Sequence, residues 1–196
     1  MTTLPHLEQT TVSQRPLLHR LDIASVIVFR TLHLGDMLCA VPALRALRAS
    51  LPKAVITLVG LPWARQFARR FQHYIDDFVA FPGHPLLPEQ EVRHEELAPF
   101  YTGLCGRQAT LALQMHDNGA PGNEIVAGFG ARVMAGYCSG KAVATEHTIL
   151  YPYPEVGAEP DRLLRLVERL GAGAAGDHLE FPLAQEDRKE LEASGI

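Results

Sequence analysis

Cysteine is scarce in this chain of 196 residues: Cys39, Cys105 and Cys138 are odd in number, far apart and form no Cys-x-x-Cys pair. That argues against a disulfide framework or a cysteine-built zinc site and points to reduced thiols. The nine histidines never recur four residues apart, so the helical pair that often holds a metal is missing too. Positive charge is not in surplus. The formal net charge is -4, whereas nucleic-acid binders normally carry a basic excess. No apolar run approaches the roughly 20 residues of a membrane span. The opening MTTLPHLEQTTVSQRPLLHRLD shows no charged stretch ahead of an apolar core, so no secretory leader is expected. Together these absences predict a cytoplasmic protein that binds no nucleic acid and no metal.

Two glycine signatures are also lacking. TLHLGD has neither the second glycine nor the lysine and hydroxyl residue of a Walker loop. GFGARVMAG begins with G-x-G but has no third glycine in register, and it opens a strand pattern rather than a helix. Neither stretch is expected to cradle a nucleotide. Internal repeats and low-complexity tracts are absent as well.

What remains is an ordinary globular composition, 47% apolar and 20% charged, long enough for one α/β domain. Residues 1–20 read as a loose arm and 21–196 as the domain. Residues 25–29, SVIVF, form a β-branched run that predicts a buried strand. From Met37 the residues Leu38, Val41, Leu44, Leu47 and Leu51 follow helical spacing, with Pro42 expected to kink or restart the helix. Further strands are expected over 54–60, 76–81, 109–115 and 131–137, with an extended segment at HTILYPYP. Helices are expected with Pro62 at a first helical position, over 91–105, from an Asn123 cap, over 161–170 with Gly171 as stop, and over 185–193. Alternating strands and helices imply a parallel sheet with right-handed crossovers, whose ligands sit beyond the carboxyl ends of the strands. RTLHLGD and HDNGAPG follow the first and fourth strands and should both open on that edge.

Asp36 stands on the first of these loops. It reads either as a helix cap or as a general base that accepts a proton from a substrate hydroxyl. Gly35 before it leaves room for a close approach. The second loop carries Gln114, His116, Asp117, Asn118 and Asn123, which suit turn formation or the recognition of sugar hydroxyls. Arg65, Arg69 and Arg70 form either a solvated helix face or a contact for an anionic lipid or substrate.

The stretch VIVFRTLHLGDMLCAVPALRALRASLPKAVITLVG resembles the opening of glycosyltransferase family 9, the ADP-heptose:lipopolysaccharide heptosyltransferases. The likeness rests on Arg30, Gly35, Asp36, Leu38, Pro42, Leu44, Arg45, Leu47 and Pro52. LALQMHDNGAPGNEIVAGFGARVMAGY and the FPL before the last helix extend it over residues 22–192. Two places depart from the family pattern. Ala158-Glu159 stands where His-Glu is frequent, and Thr110 where Asp is common.

The resemblance implies the Rossmann-like N-terminal domain of a GT-B glycosyltransferase. It implies an inverting, metal-independent transfer in which Asp36 is the base, with His33, His116 and Asp117 as the alternates. Arg30, His33, Gly35, Gln114, His116, Asp117, Asn118 and Asn123 would line the acceptor side. No cofactor is implied in this chain. The nucleotide-sugar donor would bind a C-terminal domain that lies outside these residues, or a partner chain. The acceptor would be a lipopolysaccharide core or similar glycolipid, met at the inner face of the inner membrane. A sugar- or lipid-binding remnant of the same fold, without catalysis, is the alternative reading.

Overall fold

The computed structural model describes residues 15–195. A seven-stranded sheet is built from β1 (Ser25–Phe29), β2 (Val55–Gly60), β3 (Asp77–Ala80), β4 (Leu111–Gln114), β5 (Val133–Cys138), β6 (Val143–Ala144) and β7 (Thr148–Pro152). Its order is β3-β2-β1-β4-β5-β7-β6. Every neighbouring pair is parallel except the short edge strand β6, which runs antiparallel to β7. The helices are α1 (Leu17–Arg20), α2 (Leu34–Cys39), α3 (Val41–Ser50), α4 (Ala64–Arg70), α5 (His94–Gly106), α6 (Ala120–Ala127), α7 (Glu159–Leu170) and α8 (Gln185–Ala193). The fold is Rossmann-like α/β, as the alternating pattern predicts.

The central strands are covered on both faces, which is why they read as unbroken apolar runs. Successive side chains of β1 serve different cores, because a strand alternates its faces. Val26 and Val28 join Leu44, Leu47, Phe67, Leu163 and Leu166 beneath α3, α4 and α7. Ile27 and Phe29 join Phe81, Phe100, Ile125 and Phe129 beneath α5 and α6. Helix α7 turns Leu163, Leu166, Val167 and Leu170 inward and ends at Gly171, whose φ of 110° is the left-handed stop that glycine tolerates.

Several local expectations are corrected. The arm does not extend to residue 20, because Leu17 is buried in α1 and packs into the core; residues 1–14 of that expected arm lie outside the described residues. Of the two outcomes expected at Pro42, a kink or a restart, the structure has the restart. Helix α2 ends at Cys39 and Pro42 lies in the first turn of α3, where its missing N–H is not needed. Pro62 precedes α4 without entering it. Asn123 does not cap α6. That place falls to Gly119, and Asn123 sits inside the helix with its Nδ2 donating to Tyr137 O at 2.9 Å. Among the described residues no helix is long and apolar enough to cross a membrane.

Candidate functional site

The strand order reverses between β1 and β4, the place where open α/β sheets form a ligand crevice beyond their strand ends. Residues 30–33 leave β1 and lead into α2. Residues 115–119 leave β4 and lead into α6. Two adjacent parallel strands thus bring RTLHLGD and HDNGAPG to one edge, and the start of α7 reaches the same place.

Arg30 lies under this crevice, not in it. It is 0% exposed. Its Nε donates to the backbone carbonyl of Asp36 at 2.9 Å, its Nη1 to the carbonyl of Met115, and both Nη atoms reach Glu159 Oε1 at 3.3 Å. Burial lowers its pKa, and the Glu159 carboxylate opposes that shift. One guanidinium therefore ties the turn after β1, the turn after β4 and the first turn of α7 together. The expectation that Arg30 touches substrate is corrected: its side chain has no exposed surface with which to do so.

Glu159, the residue after the departure at Ala158, completes this tie. Its Oε2 accepts from Arg162 Nη1 at 3.3 Å and from Tyr153 Oη at 3.5 Å. Local sequence carries no sign of the pairing, since Arg30 and Glu159 are 129 residues apart.

The loop after β4 is mostly committed to its own shape. Gln114 is 0% exposed, and its Nε2 donates to the Asp117 carboxylate. Asp117 Oδ1 also accepts from the Gly119 N–H at 2.7 Å. Gly119 has φ 109°, and an added Cβ there would strike the Tyr137 carbonyl. Gln114 thus builds the turn from inside, which corrects its placement on the substrate side, whereas Asn123 is half-buried and its amide is engaged by Tyr137 O. Asn118 remains exposed at the tip.

His116 is buried beside Thr31. Its Nδ1 lies 3.4 Å from Thr31 N and 3.2 Å from Thr31 Oγ1, and its Nε2 lies 3.6 Å from Glu89 Oε1. Burial lowers its pKa first. The carboxylates of Asp117, Glu89 and Asp36 pull it up, and Arg30 pushes it down.

The exposed rim consists of His33, Leu34, Gly35 and Asp36. His33 takes the cap position of α2 but makes no side-chain cap bond. Asp36 is the third residue of α2, inside its first turn, and His33 holds the cap position, so the cap reading of Asp36 fails. Among the described residues nothing pairs with its carboxylate, while its backbone carbonyl is held by Arg30. A Cβ added at Gly35 would meet nothing within 4 Å, so the surface at Gly35, next to Asp36 in the chain, is open. Such a group, fixed through its backbone and free at its oxygens, can accept a proton from a bound hydroxyl. Among the described residues no cluster of three His, Cys, Asp or Glu side chains is placed to hold a metal ion.

The basic set on α4 divides. Arg70 is engaged by Asp187 and by Pro182 O at 2.7 Å, and Arg65 lies over the Phe78 ring at 4.9 Å. Arg69 is exposed on the wall of an open groove of about 600 Å³.

No family model matches the sequence, and no curated protein does. Solved structures do. A family 9 glycosyl transferase from Veillonella parvula DSM 2008 superposes with a TM-score of 0.67 at 17% identity, covering 90% of this chain and 51% of its own. The E. coli heptosyltransferase WaaC with ADP gives 0.60 at 14% identity, over 82% of this chain and 52% of its own. The same enzyme with ADP-2-deoxy-2-fluoro heptose gives 0.59 at 13%, over 80% and 51%. The chain therefore spans about half the length of the solved structures it matches. Identities this low speak to the fold: the chain folds like roughly one half of a family 9 glycosyl transferase.

Proposed function

We propose that this domain is the acceptor-binding half of a heptosyltransferase-like enzyme and that Asp36 is its general base. The observation that carries the reading is the Asp36 carboxylate, exposed at the strand-order reversal and, among the described residues, unpaired and anchored through its backbone. The acceptor hydroxyl would lie in the open space before Gly35, with His33 and Asn118 at the rim. Asp36 takes the hydroxyl proton as the acceptor oxygen attacks the anomeric carbon. The bond from that carbon to the nucleoside diphosphate breaks, and the configuration inverts. The donor, a nucleotide sugar of the ADP-heptose kind, is held by a second domain in the same protein or a partner chain. The acceptor is a lipopolysaccharide-core-type glycolipid, reached from the cytoplasmic face of the inner membrane.

The test is Asp36→Asn in an enzyme completed by a donor-binding domain. Asparagine keeps the size and the local backbone bonds but loses the basic oxygen. Transfer should fall by roughly 10²–10⁴-fold, the usual worth of a positioned base. Stability should change by no more than about 1 kcal/mol, the charge–dipole contribution in a first helical turn. A variant that keeps more than about a tenth of the rate is outside that range and removes Asp36 from the mechanism. Binding of the acceptor glycan with no transfer in any completed enzyme would leave the non-catalytic binding module as the reading.

A further inference from the structure

The connection between β3 and α5, residues 81–93, folds inward instead of spanning the edge. Phe81 and Leu87 are buried. Gln90 Nε2 donates to Phe81 O at 2.9 Å, and Arg93 N donates to Pro82 O at 2.9 Å. Gly83 has φ 91°, and a Cβ there would come within 2.9 Å of the Glu91 carbonyl, so the loop closes on glycine. This path delivers Glu89 to the crevice from a third direction. Its Oε1 faces His116 Nε2 at 3.6 Å. Its Oε2 is buried and, among the described residues, accepts no hydrogen bond. A carboxylate with one buried, unused oxygen is costly unless a neighbouring charge or donor offsets it. The donor that faces its other oxygen is His116.

We propose that Glu89 is a positioning residue: through His116 and Thr31 it holds the turn on which Asp36 stands. The Thr31 N–H can only donate, so His116 Nδ1 must be bare to receive it. In neutral imidazole the single ring proton then sits on Nε2 and points toward Glu89. Glu89 selects that tautomer by offering a negative oxygen to the N–H. Thr31 follows Arg30, whose Nε grips the Asp36 carbonyl, so both ends of the short turn are tied. Protonation of Nδ1 would set one donor against another and release the Thr31 backbone. The charged groups around the ring are Asp117, Glu89 and Asp36, which favour protonation, and Arg30, which opposes it. Any consequence for turnover rests on Asp36 being the base. The arrangement itself does not, and it can be read on this chain alone.

The experiment is nitrogen-15 NMR of the His116 ring together with amide hydrogen exchange at Thr31. In the wild-type chain Nδ1 should be bare and Nε2 protonated near neutral pH. Glu89→Gln removes one of the charges that favour protonation, so the His116 pKa should fall. Glu89→Leu removes the acceptor, so the tautomers should mix. The Thr31 amide should then exchange about tenfold faster, while Ala135 in β5 stays protected as a control for global folding. A protonated Nδ1 in the wild type overturns the proposal. So does an unchanged His116 pKa in Glu89→Gln, or an unchanged Thr31 exchange rate in a folded Glu89→Leu chain. In a completed enzyme, Glu89→Leu should lower kcat more than it changes KM. If the ring and exchange signatures hold while turnover is unmoved, the base assignment fails and the tie survives.

Discussion

Arg30→Met isolates the central tie of the crevice. Methionine fills much of the space of the arginine stem but donates nothing. The carbonyls of Asp36 and Met115 lose their donor. Glu159 does not become stranded, because Arg162 and Tyr153 still reach its Oε2. A buried acceptor left without a donor costs about 1–3 kcal/mol. The Met115 carbonyl bond is fully buried and should cost near the top of that range, whereas the Asp36 bond is only partly buried and water can replace it. Removing a desolvated guanidinium returns part of the loss. The expected net destabilisation is about 2–3 kcal/mol. With a urea m-value near 2 kcal/mol/M, the unfolding midpoint of the 196-residue chain should drop by about 1–1.5 M. Arg30→Lys should recover less than half of this, since one ammonium cannot reproduce the planar fork that meets three partners. A midpoint shift in Arg30→Met below about 0.3 M, within the ordinary spread for surface changes, would refute the tie.

Gly119→Ala should destabilise the chain by about 2–4 kcal/mol in the same assay, because φ is 109° and the new methyl would meet the Tyr137 carbonyl and, at 2.9 Å, Cys138 Cα. Gly35→Ala, with open space around it, should be neutral to slightly stabilising, and equal losses at the two sites would contradict the placement of α6 on β5. Burial pushes the Tyr137 hydroxyl up to about 12, above the usual value near 10. The unfolded chain therefore gives up this proton first, and the associated stability is complete below pH 10 and lost between about 10 and 12. Tyr137→Phe should flatten that part of the stability–pH curve while losing about 1 kcal/mol at neutral pH for the bond to Arg162 O; an unchanged alkaline slope would refute the assignment.

The sequence by itself determined the elements whose cause is local. SVIVF is a strand at the residues expected, since a β-branched run between polar residues has few other uses. Leu163, Leu166, Val167 and Leu170 face one way with Gly171 behind them, because helical spacing and a left-handed stop are written within a dozen residues. The alternation of strands and helices foretold the parallel sheet, and with it the edge on which Asp36 and the loop after β4 would meet.

Only the tertiary structure decided which polar residues at that edge face solvent. Arg30 and Gln114 had the chemistry of binding residues, yet the packing of α6 and α7 over the crevice turned both into interior struts. Asp36 could be read as a cap or a base, but α2 begins at Leu34 and, among the described residues, leaves its carboxylate free. Glu89 drew no attention in the sequence and Glu159 was noted only beside the departure at Ala158, because a carboxylate in a proline-rich loop or a first helical turn is ordinary there. Their partners come from β-strand ends distant in the chain, and pairing of that kind depends on sheet order and crossover geometry, which no local pattern encodes.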